Sequence, residues 1–240
     1  MKRTLLIDGD IIVYRYASTV EHEVDWGDDV WSLWSDAKEA KQLILQYLEH
    51  LVEMTAADDY IFCFSDKDNF RKAILPTYKS NRKGKRKPVC YKGVKTWIES
   101  IYQHKTIPNL EGDDVMGILA TDGSIEGETV IVSEDKDMKT IPCLLWRNAE
   151  LERISEEDAD YFHLYQTLVG DTTDGYGGLR GVGDKRATAL LEEPTWDTVV
   201  GAYEKAGHTE EDALVQARVA RILRASDFNA ETQEPILWTP

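Results

Sequence analysis

Thr4-Leu-Leu-Ile-Asp8, Tyr60-Ile-Phe-Cys-Phe-Ser-Asp66 and Thr129-Val-Ile-Val-Ser-Glu-Asp135 share one pattern, a short continuous apolar run that ends at an acid. Runs without polar alternation predict strands covered on both faces, hence a parallel sheet in an α/β layer. Helical spacing lies between them. Ser35 is a candidate cap for a helix over 36–54, with Ala40, Leu43, Ile44, Tyr47, Leu48 and Leu51 inward. Further helices are expected over 91–104 and from Gly112 onward. After about residue 150 no strong strand is expected. Helices over 156–168, 184–192 and 209–225 surround a glycine-rich stretch, Gly170–Gly183. The expected organisation is an α/β domain over 1–152 and a smaller helical domain over 153–240. With no Gly/Ser/Pro linker between them, tight packing is expected. The acidic, tryptophan-rich stretch Glu21–Ser35 receives no assignment.

The chain has 240 residues and 42% apolar content, enough to bury a real core. No apolar run approaches the roughly 18–20 residues that span a bilayer, and Asp8 and Asp10 interrupt the N-terminus where a signal peptide needs apolar residues. The three cysteines, Cys63, Cys90 and Cys143, form no Cys-x-x-Cys pair and read as reduced, inert thiols. A cytoplasmic protein without membrane contact is expected. The net charge is −16, yet the window from Arg71 to Lys105 holds 11 Lys/Arg against one acid, Glu99. Such segregation allows one face to hold phosphates and another to hold cations.

In open parallel sheets the ligand crevice lies beyond the carboxyl ends of the strands. Asp8, Asp66 and Asp135 end strands there, and Asp137 follows. Glu111, Asp113 and Asp114 surround a helix start, and Asp171 and Asp174 lie in the glycine-rich loop. One acid at a strand end is ordinarily a cap, and an acidic pair at a helix start satisfies the helix dipole. Three strand ends on one edge are harder to explain that way, because crowded carboxylates repel. A cation relieves the repulsion, and an oxygen-only set favours Mg²⁺ or Mn²⁺. Two such ions about 3.5–4 Å apart support phosphodiester hydrolysis without a dedicated protein base.

The basic segment 71–95 follows Asp66 directly and interleaves Tyr78 and Tyr91 with its cations. A solvated loop is the plain reading. The functional one is phosphate neutralisation with stacking on an unpaired nucleotide, using Arg71, Tyr78, Lys83, Lys85 and Arg86. Lys79 and Arg82 are the candidates for stabilising charge on the reacting phosphate. Gly181-Val-Gly183-Asp-Lys185-Arg186 reads as a tight turn opening a helix, where amides, Lys185 and Arg186 can meet a phosphate. It is not a Walker loop, since no Gly-Lys-Ser/Thr is present. The acids alone also fit a dehalogenase-type phosphatase with Asp8-Gly-Asp10, a PIN-type ribonuclease, or a non-catalytic DNA-structure-binding protein.

The ordered set resembles the 5′-nuclease superfamily, which includes flap endonucleases and the 5′-nuclease domains of bacterial DNA polymerases. It looks closest to the 5′→3′ exonucleases of tailed phages. The carrying motifs are Leu-Ile-Asp8-Gly-Asp, Phe-Ser-Asp66 with Phe70-Arg71-Lys72 and Tyr78-Lys79-x-Asn81-Arg82, Leu110-Glu111-Gly-Asp113-Asp114-Val, Ser133-Glu-Asp135-Lys-Asp137, and Gly170-Asp171-x-x-Asp174-Gly…Gly181-Val-Gly183. They span residues 4–190. The resemblance implies a PIN-like domain with a mostly parallel sheet and a helix–hairpin–helix-type module over about 168–192 that grips duplex DNA. It implies metal binding by Asp8, Asp66, Glu111, Asp113, Asp114, Asp135, Asp137, Asp171 and Asp174, and an arch over 71–95 that handles a single-stranded 5′ end. It also implies a potassium ion at Gly181–Gly183. The implied activity is 5′→3′ exonuclease cleavage, with flap and RNase H-type cleavage beside it, in phage-type replication inside a bacterial host cell. The implied partners are DNA 5′ ends, nicks, flaps and RNA–DNA hybrids, met by a monomer. The stretch Glu21–Ser35 is not part of the general pattern.

Overall fold

The three acid-terminated runs become neighbouring strands. The structure, a computed structural model, describes residues 2–82 and 84–240. Strand β1 (Arg3–Asp8) leads into α1 (Gly9–Thr19), a ribbon of β2 (Glu21–Asp25) and β3 (Trp31–Ser35), then α2 (Ala37–Thr55) and β4 (Asp59–Cys63). A short α3 (Arg71–Ile74), α4 (Tyr91–Ile101), β5 (His104–Lys105), α5 (Gly112–Thr121) and β6 (Glu128–Val132) follow. The hairpin β7 (Leu144–Arg147) and β8 (Glu150–Arg153) precedes α6 (Glu156–Val169), α7 (Asp184–Leu190), α8 (Trp196–Lys205) and α9 (Glu210–Ala220). A two-residue pair, β9 (Phe228–Asn229) and β10 (Glu234–Pro235), lies near the end. The main sheet runs β5-β4-β1-β6-β7-β8, parallel throughout except for the antiparallel edge β8. This is the expected α/β class.

Alternate residues of a strand point to opposite faces, and both faces are covered here. Leu5, Ile7, Phe62, Phe64, Val130 and Val132 pack with Val13 of α1, Ile44 and Leu51 of α2, and Val94 and Ile98 of α4. Leu6, Cys63, Ile131 and Leu145 pack on the other face with Val115 and Met116 of α5. Ala159 of α6 and Ile222 and Leu223 beyond α9 join that second core, so the helical segment shares the sheet's interior. A further apolar cluster unites α6, α7, α8 and α9 around Leu168, Val199 and Tyr203. Burial raises the Cys63 thiol and pushes that of Cys143 up to about 12, which keeps both protonated at neutral pH. Among the described residues no helix is long and apolar enough to cross a membrane.

Several local expectations are corrected. Asp36, not Ser35, caps α2, accepting from the Lys38 amide at 2.7 Å, while Ser35 ends β3. Helices α1 and α8 were not expected, and β8 extends the sheet past residue 150. Helix α9 stops at Ala220, where Arg221 turns extended and Ile222 and Leu223 enter the sheet core. The unassigned acidic stretch is a ribbon outside the main sheet, with His22 stacked on Trp34 at 4.6 Å and Trp26 donating to Ser32 at 2.8 Å. Its aromatic side chains stay exposed, Trp26 at 69%. At the end of α6, Gly170 (φ +71) and Gly178 (φ +58) lie back to back, and a Cβ on Gly170 would stand 2.4 Å from the Gly177 carbonyl carbon. That approach folds the Asp171–Asp174 loop over the helix end.

One buried pair joins the parts. Arg71, 2% exposed, makes a two-pronged contact with Asp114 of α5 at 2.7 and 2.8 Å. The same guanidinium donates to the carbonyls of Val219 (3.0 Å) and Arg221 (2.5 Å) at the end of α9. Removing one partner of a buried pair leaves an uncompensated charge, typically a loss of about 3–5 kcal/mol. Arg71→Met should therefore lower the urea unfolding free energy by that order. The double variant Arg71→Met/Asp114→Leu should recover part of the loss, and an Arg71→Met protein as stable as the parent would refute this account.

Candidate active site

From β1 the chain proceeds to β4 on one side, and from β6 to β7 on the other. Connections that diverge in this way open a crevice at the carboxyl ends of β1 and β6. Asp8, the last residue of β1, enters it. Its carboxylate caps α1 through the Ile11 amide (3.0 Å) and accepts the Ser133 hydroxyl (3.0 Å). Burial, then the charges of Asp10 and Asp135, push its pKa up to about 7. Asp113, in the first turn of α5, is raised well above the carboxylate range by burial and by Asp8 and Asp135. Asp135 caps the turn Lys136–Thr140 by accepting the Asp137 amide at 2.9 Å. Three elements thus bring Asp8, Asp113 and Asp135 within electrostatic reach of one another.

A second acidic group adjoins the first. Asp137, held by Gln166 at 2.5 Å, is pushed up to about 7 by burial and then by Asp135. The charges of Asp171 and Asp174 in the glycine-rich loop raise it further. Burial pushes the Asp171 carboxyl up, but Lys136, paired with it at 3.1 Å, and the Thr173 and Asp174 amides together lower its pKa. Asp174 is raised, burial prevailing over Lys79 and Arg82.

Lys79 bridges the groups. Its ammonium lies 2.5 Å from Glu111 and 3.4 Å from Asp174, and its amide donates to the Asp174 carbonyl at 2.7 Å. Burial would favour the neutral amine, but Glu111 and Asp174 hold its pKa above the ordinary value. Glu111 titrates at about 2, because Lys79 and Arg71 overcome its burial. Arg82 pairs with Asp174. Among the described residues no three acidic, imidazole or thiol side chains form a finished metal cage. Lys79, Lys136 and Gln166 hold oxygens that a cation would take. The donor set is nevertheless all oxygen, and its buried, proton-retaining carboxylates fit a hard divalent cation.

Other expected site residues are placed elsewhere. Asp114 faces the core, fully buried, with both oxygens bound by Arg71 and one also accepting the Leu223 amide at 3.1 Å. Its other oxygen also accepts the Glu111 amide at 3.1 Å, so four donors occupy the carboxylate and it supports the fold. Arg71 is committed to that pair and is out of reach of DNA. Tyr78 is 4% exposed, with its hydroxyl on Glu111 at 2.7 Å, so it is not a stacking platform. Asp66 accepts the Asn109 amide at 2.8 Å and lines an open cleft beside the acidic groups. Lys83 lies outside the described residues. In the hairpin, Gly181 has φ +83, Gly183 caps α7, and Lys185 and Arg186 are exposed.

Known proteins resemble this chain in sequence and in fold. Residues 3–160 match the family described as 5′-3′ exonuclease, N-terminal resolvase-like domain. The chain belongs to the 5′–3′ exonuclease family. It is an enzyme, a 5′–3′ exonuclease-type nuclease. The exonuclease of Escherichia phage T7 is 34% identical over 100% of this chain and 94% of its own length. The flap endonuclease Xni of Shewanella pealeana is 27% identical over 80% of this chain and 76% of its own. In fold, the chain is similar to the flap endonuclease of bacteriophage T5 solved with DNA and metal ions (TM-score 0.67, 16% identity, 91% of this chain and 89% of that one).

The exonuclease has an open cleft of about 920 Å³ beside the acidic crevice. Arg15, Lys67, Arg82, Lys85, Arg86, Lys87 and Lys95 line it, against Asp10 and Asp66. Asp10 is expected from the sequence only as the second acid of the phosphatase alternative. It accepts the Tyr91 hydroxyl (2.8 Å) and the Ser65 amide (2.7 Å), tying α1, α4 and the end of β4 together at the cleft floor. Lys87 stands 4.1 Å over the Tyr91 ring and Lys95 4.4 Å over Phe64. Only the density of cations in 82–95 signalled this surface in the sequence.

Asp8 and Asp137 titrate near 7, so a cation must displace protons to reach them below that pH. Divalent-metal affinity should therefore rise with pH through about 7, by about tenfold per pH unit for each proton displaced. Calorimetric Mn²⁺ titrations at pH 6, 7 and 8 in buffers of different ionisation enthalpy test this. Equal affinity at pH 6 and 8 with no proton release would contradict it.

Proposed function

We propose that this exonuclease hydrolyses phosphodiester bonds at DNA 5′ ends with two Mg²⁺ ions, for which Mn²⁺ substitutes. The observation that carries the reading is the convergence of buried Asp8 with half-buried Asp113 and Asp135, from three separate elements, at the sheet's switch point beside a positively charged cleft. Asp8, Glu111, Asp113 and Asp135 would hold one ion, and Asp137, Asp171 and Asp174 the other. When bound, such ions supply an activated water and stabilise the departing oxygen. Lys79 keeps its proton between Glu111 and Asp174 and offers positive charge to the reacting phosphate, with Arg82 beside it. Lys85 and its neighbours in the cleft neutralise the phosphates of the incoming 5′ strand.

The exposed hairpin, with the amides around Gly181 and Gly183 and the side chains of Lys185 and Arg186, grips the duplex behind the reacting end. A potassium ion bound there would compete with Arg186, which contacts the Gly181 carbonyl at 3.4 Å. The substrates we assign are 5′ ends, nicks and flaps, with RNA–DNA hybrids as an RNase H-type extension. The setting is primer removal and DNA degradation during phage-type replication in the bacterial cytoplasm, by a monomer. The likeness to the phage T7 exonuclease supports the exonuclease part of this reading, and that to the phage T5 flap endonuclease solved with DNA and metal ions its flap and metal-ion parts.

A gel series on 5′- and 3′-labelled duplex, nicked and flap DNA, in Mg²⁺ or EDTA, tests the reading. Mononucleotides or short products should leave the 5′ label first, and only with metal; a ladder growing from the 3′ end would overturn the polarity. Asp135→Asn should abolish cleavage and retain DNA binding in EDTA. Lys79→Met should lower kcat on the order of a hundredfold, as loss of one preorganised charge at a transition state does. Unchanged turnover at saturating DNA would remove Lys79 from the chemistry.

A further inference from the structure

The ribbon β2–β3 lies outside the general pattern of the superfamily, yet it is joined to the cleft wall. Glu21, the first residue of β2, turns its side chain toward the basic segment. Its carboxylate accepts from Arg86 at 2.5 and 2.9 Å and from the Val89 amide at 2.6 Å. Arg86 and the Val89 amide pull its pKa down to about 2, so it is ionised throughout the working range. Arg86 also donates to the Lys87 carbonyl at 3.1 Å. Between the turn at Ser80–Arg82 and the start of α4 the chain has no regular structure of its own among the described residues. The cleft cations Lys85, Arg86 and Lys87 all lie in that stretch.

A carboxylate beside a phosphate path is costly unless neutralised, and here three donors neutralise it. We propose that Glu21 is a positioning residue. It fixes Arg86 and the Val89 amide to the ribbon and so sets where Lys85 and Lys87 meet the 5′ strand. This rests on the reading of the cleft as the path of the DNA 5′ end.

The test compares Glu21→Gln and Lys85→Ala on a 5′-ended duplex in Mg²⁺. Glu21→Gln should raise KM about fivefold, the most that an ion pair at a surface ordinarily supports, and leave kcat unchanged. Trypsin should also cut the DNA-free variant faster at Lys85 and Arg86. If KM stays the same or falls in Glu21→Gln while Lys85→Ala raises it, the cleft reading stands and Glu21 is only a nearby charge. If neither variant changes KM, the cleft is not the DNA path and the inference fails with it. A joint loss of kcat and melting temperature in Glu21→Gln would mark a purely structural residue and overturn the proposal.

Discussion

The guanidinium of Arg71, sealed from water, joins three parts of the chain that are far apart in sequence. It leads the basic segment, pairs with Asp114 in the first turn of α5, and satisfies two carbonyls where α9 ends. A charge in that position is tolerable only when its hydrogen bonds are made together. The site above inherits its geometry from this. Tyr78 and Lys79 stand beside Glu111 because the chain after Arg71 is held against α5. Asp171 and Asp174 arrive from the loop after α6, which packs on the same α9.

Charge segregation follows from that arrangement. The chain carries −16 overall, yet cations outnumber acids seven to two in the lining of its cleft. Acids gather in the crevice, where burial and mutual repulsion raise Asp8, Asp113 and Asp137. Lys79 and Lys136 offset part of that repulsion. The two surfaces meet where Arg82 touches Asp174, which places cations that suit phosphates directly beside oxygens that suit metal ions.

Asp113 and Asp114 show how far a sequence reading reaches. Both are acids at a helix start, and either suits capping or metal binding. Successive helical residues point about 100° apart, so one turns to the crevice and the other to the core. Only packing decides which. Asp10, legible in the sequence only as part of a phosphatase-like Asp8-Gly-Asp10, secures Tyr91 and Ser65. Tyr78 looked like a stacking aromatic because its neighbours are cations, and burial against Glu111 removes it from that role. The ribbon β2–β3 gave no signal because its polar and aromatic residues leave no apolar face to bury.

Local chemistry was enough to determine the strand triplet, the sheet's parallel character, the acid at each strand end and the cation-rich segment. Each depends on residues adjacent in the chain, where the apolar run, the cap and the charge density are all legible. The tertiary structure alone decided which acids share a crevice, which cations face solvent, and that Arg71 belongs to the core. Those outcomes depend on contacts between residues tens to more than a hundred positions apart, as with Arg71 and Val219. A side chain's identity is the same buried or exposed; its charge acts on DNA or a metal ion only where packing leaves it within reach.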